Sequence, residues 1–487
     1  MSDIATHEEP RLLRSLGIVG WNHLEPVILA ALATESPLLL IGPHGSAKTL
    51  VLTRLAEALG LTHRHYNASL LNFDDLVGFP VPDNGRLVYL QTPATIWDAE
   101  SVLFDEISRC RPELQNKLFP IVHEKIVQGV RLEKLRHRWG AMNPPPAADG
   151  SATGGAPEYA GTEPLDVALA DRFAFIVPVP SLGELRRGDQ LTLLRGLEPM
   201  DDAAPRLQRA LETVRQAIPA VAAVLNLAAA NYVQILAQKL AAADHPVSTR
   251  RAVQIARNII AVHATLDVVP AAFTGTSEDA FYTAVRYSLP DEGWGHPVPQ
   301  ALLLTAHRAA WQLAKLDEHS EVKAILTEPD AVRRIGLALS SSLTGGDVGR
   351  IVVDAFSSLP RLARLATAAV LAPLAAQRTD LPAATIEPIA RDFALLASRG
   401  AERITVRNGG ADWRRDILSK ELAALGRDTP RGRALTNAAV RLMQEDERFA
   451  MTDLRAAYDH AARVLGTLPA TLKSGMTGVR KPQRGAA

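Results

Sequence analysis

Apolar residues are distributed along this chain in two regimes. Up to about residue 180, short apolar runs of strand character alternate with stretches of helical spacing; beyond it the strand signal mostly vanishes. Leu24 to Leu32 has helical spacing and is closed by Ser36-Pro37. Leu38 to Ile41 is an uninterrupted apolar run that predicts a buried strand, stopping at Gly42-Pro43. A helix is expected from Lys48 to about Leu59, ending at Gly60. His63 to Tyr66, Ser101 to Phe104, Arg138 to Met142 and Phe173 to Val177 read as four further strands. Later, Leu207 to Ala241, Thr249 to Thr265 and Ala301 to Leu316 predict helices. Short strands separated by helices imply a parallel sheet, with the functional residues at the strands' carboxyl ends.

The fold class expected is therefore an α/β core with a parallel sheet flanked by helices, then an α-helical lid and a mostly α-helical C-terminal region. The corresponding boundaries are 1–182, 183–290 and 291–467, with a polar, basic tail over 468–487 expected to be disordered. Pro144 to Glu163, rich in Pro, Gly and Ala, is expected to be a mobile loop beside the functional face.

Composition narrows this picture only slightly. A length of 487 residues suits two to four domains. Acidic and basic residues balance at 53 each, so no global field favours nucleic acid or an anionic membrane. Cys110 is the sole cysteine, which excludes an intramolecular disulfide and a cysteine-rich zinc site; it reads as a small residue beside the sheet. The N-terminus shows no basic segment followed by an apolar one, and apolar runs such as Thr367 to Leu374 are too short for a bilayer. The expectation is a cytoplasmic protein without membrane insertion.

The chemistry concentrates where strands end. Gly42-Pro43-His44-Gly45-Ser46-Ala47-Lys48-Thr49, followed by Leu50, lies between a strand and a helix, as a phosphate-binding loop must. Glycines relax the backbone so that N–H groups turn toward an anion. Lys48 brings a point charge to β- and γ-phosphates, and the Thr49 hydroxyl is placed to ligate Mg²⁺. Ala47 stands where glycine usually precedes the lysine, which is tolerable if it has helical dihedrals. Phe104-Asp105-Glu106 ends a buried strand on two carboxylates, Asp105 for the magnesium shell and Glu106 as general base toward water. Asn143, ending the next strand, can reach the γ-phosphate or the attacking water without adding charge. Arg172, in Asp171-Arg172-Phe173, would project across a subunit boundary onto a neighbour's γ-phosphate. Ser248-Thr249-Arg250-Arg251 opens a helix, Ser248 as its N-cap; Arg250 is the better candidate to sense nucleotide and Arg251 the alternate.

Taken together, these residues resemble the MoxR branch of AAA+ ATPases, near the dynein-related and midasin-like modules. Ala47-Lys48-Thr49 is typical of that branch. Asn72 to Gly78 resembles the segment before its helix 2 insert, with Arg86 to Leu90 in the insert hairpin. Asp105 to Arg109 resembles its Asp-Glu-Ile-Asn-Arg motif, Ser108 replacing the Asn. Glu113 to Glu124 looks like the following helix and Ile126 to Leu132 like the pre-sensor hairpin. Ile18-Val19-Gly20 resembles the segment against adenine. The resemblance covers roughly residues 10 to 265. It implies an ATP-hydrolysing ring, a hexamer, with MgATP between protomers. It also implies a role remodelling or maturing protein clients, often with a von Willebrand factor A partner. A DNA- or RNA-acting motor is the alternative, for which Arg131, Lys134, Arg136 and Arg138 form a candidate basic cluster; a slowly hydrolysing nucleotide-gated switch is another.

Overall fold

The computed structural model describes residues 11–146, 163–269, 275–317, 319–397 and, apart from 423, 424, 426, 427 and 446, residues 421–466. Most of the Pro144 to Glu163 loop and all of the 468–487 tail lie outside the described residues. The chain divides into two compact units, 1–315 and 316–487.

The first unit is built on five parallel strands. These are β1 (Leu38–Ile41), β2 (His63–Asn67), β5 (Ser101–Asp105), β8 (His137–Met142) and β9 (Phe175–Pro178), in the spatial order β2-β5-β8-β1-β9. Two small antiparallel hairpins stand apart from this sheet. One pairs β3 (Phe79–Asp83) with β4 (Arg86–Leu90); the other pairs β6 (Ile126–Val127) with β7 (Val130–Arg131). All four residues of β1 are buried, which explains an apolar run without alternation: the strand is covered on both faces. The chain reverses its lateral direction at β1, which lies between β8 and β9, so a crevice opens at its carboxyl end.

The helices flanking the sheet include α1 (Leu12–Ser15), α2 (Glu25–Ala33), α3 (Lys48–Ala58), α4 (Phe73–Val77), α5 (Pro112–Glu124), α6 (Val167–Ala170) and α7 (Arg187–Arg195). A helical subdomain follows: α8 (Ala203–Ala241), α9 (Thr249–Val268), α10 (Ser277–Arg286) and α11 (Gln300–Ala314). Helix α11 packs on α8, so by packing it stays with the first unit although it lies beyond residue 290. The fifth strand begins at Phe175 rather than Phe173, because 171–174 turn out of α6 before the chain extends.

Helix α8 revises the reading of the apolar runs. It is long and apolar enough to cross a membrane by length and composition. No charged residue falls between Arg215 and Lys239, and the polar interruptions by Asn226, Asn231 and Gln234 made the stretch look shorter than it is. Its ends are anchored in the unit's core through Leu207, Leu211 and Val214 on one side and Tyr232, Leu236 and Leu240 on the other. Val224 and Leu227 between them are exposed.

In the second unit, residues 316–487, the regular elements among the described residues are helices, from Glu321–Thr327 to Met451–Leu465. Ile335, Leu339, Val352, Phe356 and Leu371 belong to one apolar core; Leu365, Leu435, Leu442 and Leu454 belong to another. Between helices, Arg361 clamps Glu445 with Nε and Nη2 at 2.8 and 2.6 Å and reaches Asp392 at 2.7 Å. A planar guanidinium satisfying two carboxylates fixes the angle at which those helices meet.

Candidate functional site

The sheet register brings the candidate residues together. Ile41 pairs with Met142, and the Gly42 N–H donates to the Met142 carbonyl at 3.1 Å. The phosphate loop and Asn143 therefore leave the sheet side by side. On β5, Asn67 pairs with Asp105, which sets the two carboxylates at the same end of the sheet. His44 to Leu50, Asp105, Glu106, Met142 and Asn143 line one cavity of about 440 Å³. Gly42 is required for close approach, since a Cβ there would come within 2.4 Å of Val179.

Lys48 begins α3 and is buried, with its ammonium folded into its own loop. It donates to the carbonyls of Gly42 at 2.7 Å and Pro43 at 2.9 Å, and stands 3.4 Å from both Ser46 Oγ and Asn143 Oδ1. Burial draws its pKa below the usual lysine value while the Asp105 and Glu106 carboxylates push back. A cation held by loop oxygens marks a concave cradle into which a phosphate can bring stronger acceptors. Ala47 is not in ordinary helical dihedrals: it has φ 63° and ψ 17°, the left-handed region. The αL turn at this position lets α3 start directly under the loop, and it is where glycine would be easiest.

The Thr49 hydroxyl donates to Asp105 Oδ2 at 2.7 Å, and the Glu106 N–H donates to Asp105 Oδ1 at 2.9 Å. His65 Nε2 lies 3.3 Å from Asp105 Oδ2. Burial works to raise the Asp105 pKa, but hydrogen bonds from His65, Thr49 and the Glu106 backbone outweigh it and hold the carboxyl below its usual range. The donor set of one hydroxyl and one carboxylate is all oxygen and therefore suits Mg²⁺ rather than a soft metal. Among the described residues no group of three His, Cys, Asp or Glu could hold a metal by itself, so phosphates and waters would complete the shell. Glu106 has φ 53°, and its carboxylate pairs with Arg109 Nη1 at 3.1 Å.

Other candidates fall elsewhere. Val19 is buried, whereas Gly20 lines a separate cavity of about 590 Å³ with Asn22, Pro180, Leu185, Tyr282 and Arg286. Gly20 has φ +83°, and a Cβ there would come within 2.5 Å of Leu185. Arg172 sits on the turn after α6, its guanidinium 4.4 Å over the Phe119 ring, and it does not line the phosphate cavity. Arg250 does not line that cavity either; it is half-exposed and pairs with Asp171 at 3.5 Å. Arg251 is fully buried as a structural tie. Its Nε donates to Asp171 at 3.1 Å, and its Nη1 donates to the carbonyls of Phe173 and Ser288, both at 2.9 Å.

Three of the four residues of the basic cluster are engaged within the protein, while Arg131 is exposed. Arg136 pairs with Glu35 at 2.7 Å, Lys134 with Asp98 at 2.7 Å, and buried Arg138 donates to the carbonyls of Val122 and Glu35. Cys110 is buried, and burial pushes its thiol up to about 12, the behaviour of a filler rather than a nucleophile. Sequence reasoning missed His65 and Arg109 as partners of the two acids. Arg109 was legible three residues after Glu106, but His65 needed the strand register.

Residues 37–173 match the family model described as AAA domain (dynein-related subfamily). No curated protein matches the chain. Among solved structures, one from Cytophaga hutchinsonii named a "putative ATPase" is 18% identical with a TM-score of 0.41. That match covers 61% of this chain and 92% of the other, a likeness too slight to add to the argument.

Proposed function

We propose that this chain, whose residues 37–173 match an AAA domain of the dynein-related type, hydrolyses ATP as a MoxR-like remodelling ring. In this reading protomers assemble into a hexamer that spends ATP on remodelling or maturing protein clients, a von Willebrand factor A protein among them.

The observation that carries the catalytic half is the convergence of Lys48, Thr49, Asp105, Glu106 and Asn143 on one cavity. Lys48 would leave its loop carbonyls for the β- and γ-phosphates, and Thr49 with Asp105 would hold Mg²⁺. Bound there, the metal neutralises charge on the phosphate oxygens. Glu106, once free of Arg109, takes a proton from the attacking water, and Asn143 orients that water or the γ-phosphate. Gly20 and the cavity around it suit the base of the nucleotide. Arg172, outside its own protomer's cavity, fits a role on the neighbour's site, and Arg250 shares its corner through Asp171. The two hairpins support the remodelling half. Tyr89 of one hydrogen-bonds Gln128 in the turn of the other, and Phe79, Leu90 and Val130 expose apolar surface.

The test is a Glu106→Gln variant, with ATP affinity, turnover and assembly size measured against the parent. The expected result is intact ATP binding, turnover down by at least about a hundredfold, and MgATP-dependent oligomers. A parent that stays monomeric at saturating MgATP and hydrolyses nothing would sink the reading.

A further inference from the structure

The donors and acceptors around Asn143 can be assigned from chemistry alone. The Lys48 ammonium has only hydrogens to offer, so the Asn143 atom 3.4 Å from it is the side-chain carbonyl oxygen. The amide nitrogen then faces His44 Nε2 at 3.1 Å. An amide nitrogen donates and does not accept, so in this contact His44 Nε2 is the acceptor, which requires the tautomer with its proton on Nδ1. Asn143 is almost fully buried, at 4% exposure, whereas His44 is exposed at the cavity rim. The buried amide could otherwise turn over by rotation about its last bond, presenting oxygen where hydrogen is wanted.

We propose that His44 is a positioning residue for hydrolysis, fixing the Asn143 amide with its N–H edge toward the phosphate loop and its oxygen toward Lys48. The inference rests on the reading of this cavity as an ATP-hydrolysing site. A ring-nitrogen acceptor serves where a carboxylate would not, because a third anion beside Asp105 and Glu106 would oppose a triphosphate in the same cavity. Lys48 alone orients the amide only until its ammonium moves to phosphate. His44 keeps one contact that this move need not break, so the N–H edge is in place when the γ-phosphate arrives. The effect is on the chemical step, not on affinity, since phosphate binding draws on backbone N–H groups and Lys48.

The experiment compares kcat, KM and the affinity for a fluorescent ATP analogue in the parent, His44→Ala, His44→Gln and His44→Lys. Alanine removes the acceptor, glutamine restores one through its side-chain carbonyl, and lysine offers only hydrogens. The expected result is a kcat about tenfold lower in the alanine variant, with KM and analogue affinity within about threefold of the parent. Glutamine recovers most of the loss and lysine none. Unchanged kcat in the alanine variant would overturn the inference. So would a loss confined to KM and affinity, or rescue by lysine as full as by glutamine. A parent without hydrolysis would overturn the hydrolase reading and this inference with it; an active parent beside an indifferent alanine variant overturns the inference alone.

Discussion

Ala47 places a methyl group in the left-handed region, where an L-residue is disfavoured by roughly 1–2 kcal/mol. Glycine removes that strain but adds back about 0.5–1 kcal/mol of chain entropy on folding. Ala47→Gly should therefore leave stability unchanged or raise it by up to about 1.5 kcal/mol, with hydrolysis retained. A thermal melt showing a clear loss would contradict the strain argument. Much of the site was legible at this scale because its residues adjoin strand ends in sequence: Gly42 follows Ile41, Asp105 ends its strand, and Asn143 follows Met142. The left-handed turn at Ala47 was not legible, since no side-chain pattern reports a single dihedral angle. Nor was the His65 contact with Asp105, which exists only because β2 and β5 pair in one particular register.

At the scale of elements, Arg251 decides how the helical subdomain meets the sheet. It opens α9, yet its guanidinium is spent on Asp171 and on carbonyls at Ala170, Phe173 and Ser288. Removing it takes the buried guanidinium from Asp171, which keeps only Ser248 and the half-exposed Arg250, and strips a donor from the carbonyls of Phe173 and Ser288. Arg251→Ala should lower stability by about 3–5 kcal/mol, and Arg251→Lys should not restore it, because one ammonium cannot span that fan of acceptors. Denaturant unfolding of both variants tests this; a lysine variant as stable as the parent would refute it. Sequence patterning located the start of α9 well, through Ser248 as N-cap, whose side chain accepts from the Arg251 N–H. It could not say which of two adjacent arginines faces inward.

A second element-scale consequence concerns acid. His137 on β8 is buried, and among the described residues neither ring nitrogen has a partner. Burial first, with Arg136 and Arg138 adding repulsion, pushes its pKa down to about 3 against some help from Glu35. Burial likewise lowers His63 on β2 to about 4. Folded pKa values below the unfolded 6.5 mean that the unfolded chain takes up the proton first. Stability is therefore full above pH 6.5 and falls as pH drops toward 4 and 3. Between pH 6.5 and 5, His137 alone accounts for about 2 kcal/mol. Urea unfolding across that interval should show the decline; a flat profile would argue that both rings are hydrated.

For the whole molecule, the proposed ring implies that each catalytic site is shared. Mixing Glu106→Gln protomers with Arg172→Ala protomers, each alone deficient, should restore part of the activity, on the order of a quarter at equal amounts. Some sites would then join an intact loop and acid to an intact neighbouring arginine. No recovery, in mixtures shown to co-assemble, would place Arg172 outside the site. The overall α/β-then-helical architecture followed from the change of hydrophobic period near residue 180. The division at 315/316 did not, because α11 has the same helical spacing as the helices beyond it and only its packing on α8 assigns it to the first unit.

Asp171 gives this arrangement a mechanical meaning. One carboxylate is gripped by Arg251 at the root of α9, and the next residue in the chain is Arg172. The hub cannot let the helical subdomain pivot freely while residue 172 stays put. Any tilt of α9 either ruptures the buried guanidinium contacts or drags the turn along. In the proposed ring, the nucleotide state felt by one protomer's helices would be transmitted as a displacement of Arg172, like a crank pinned at residue 171.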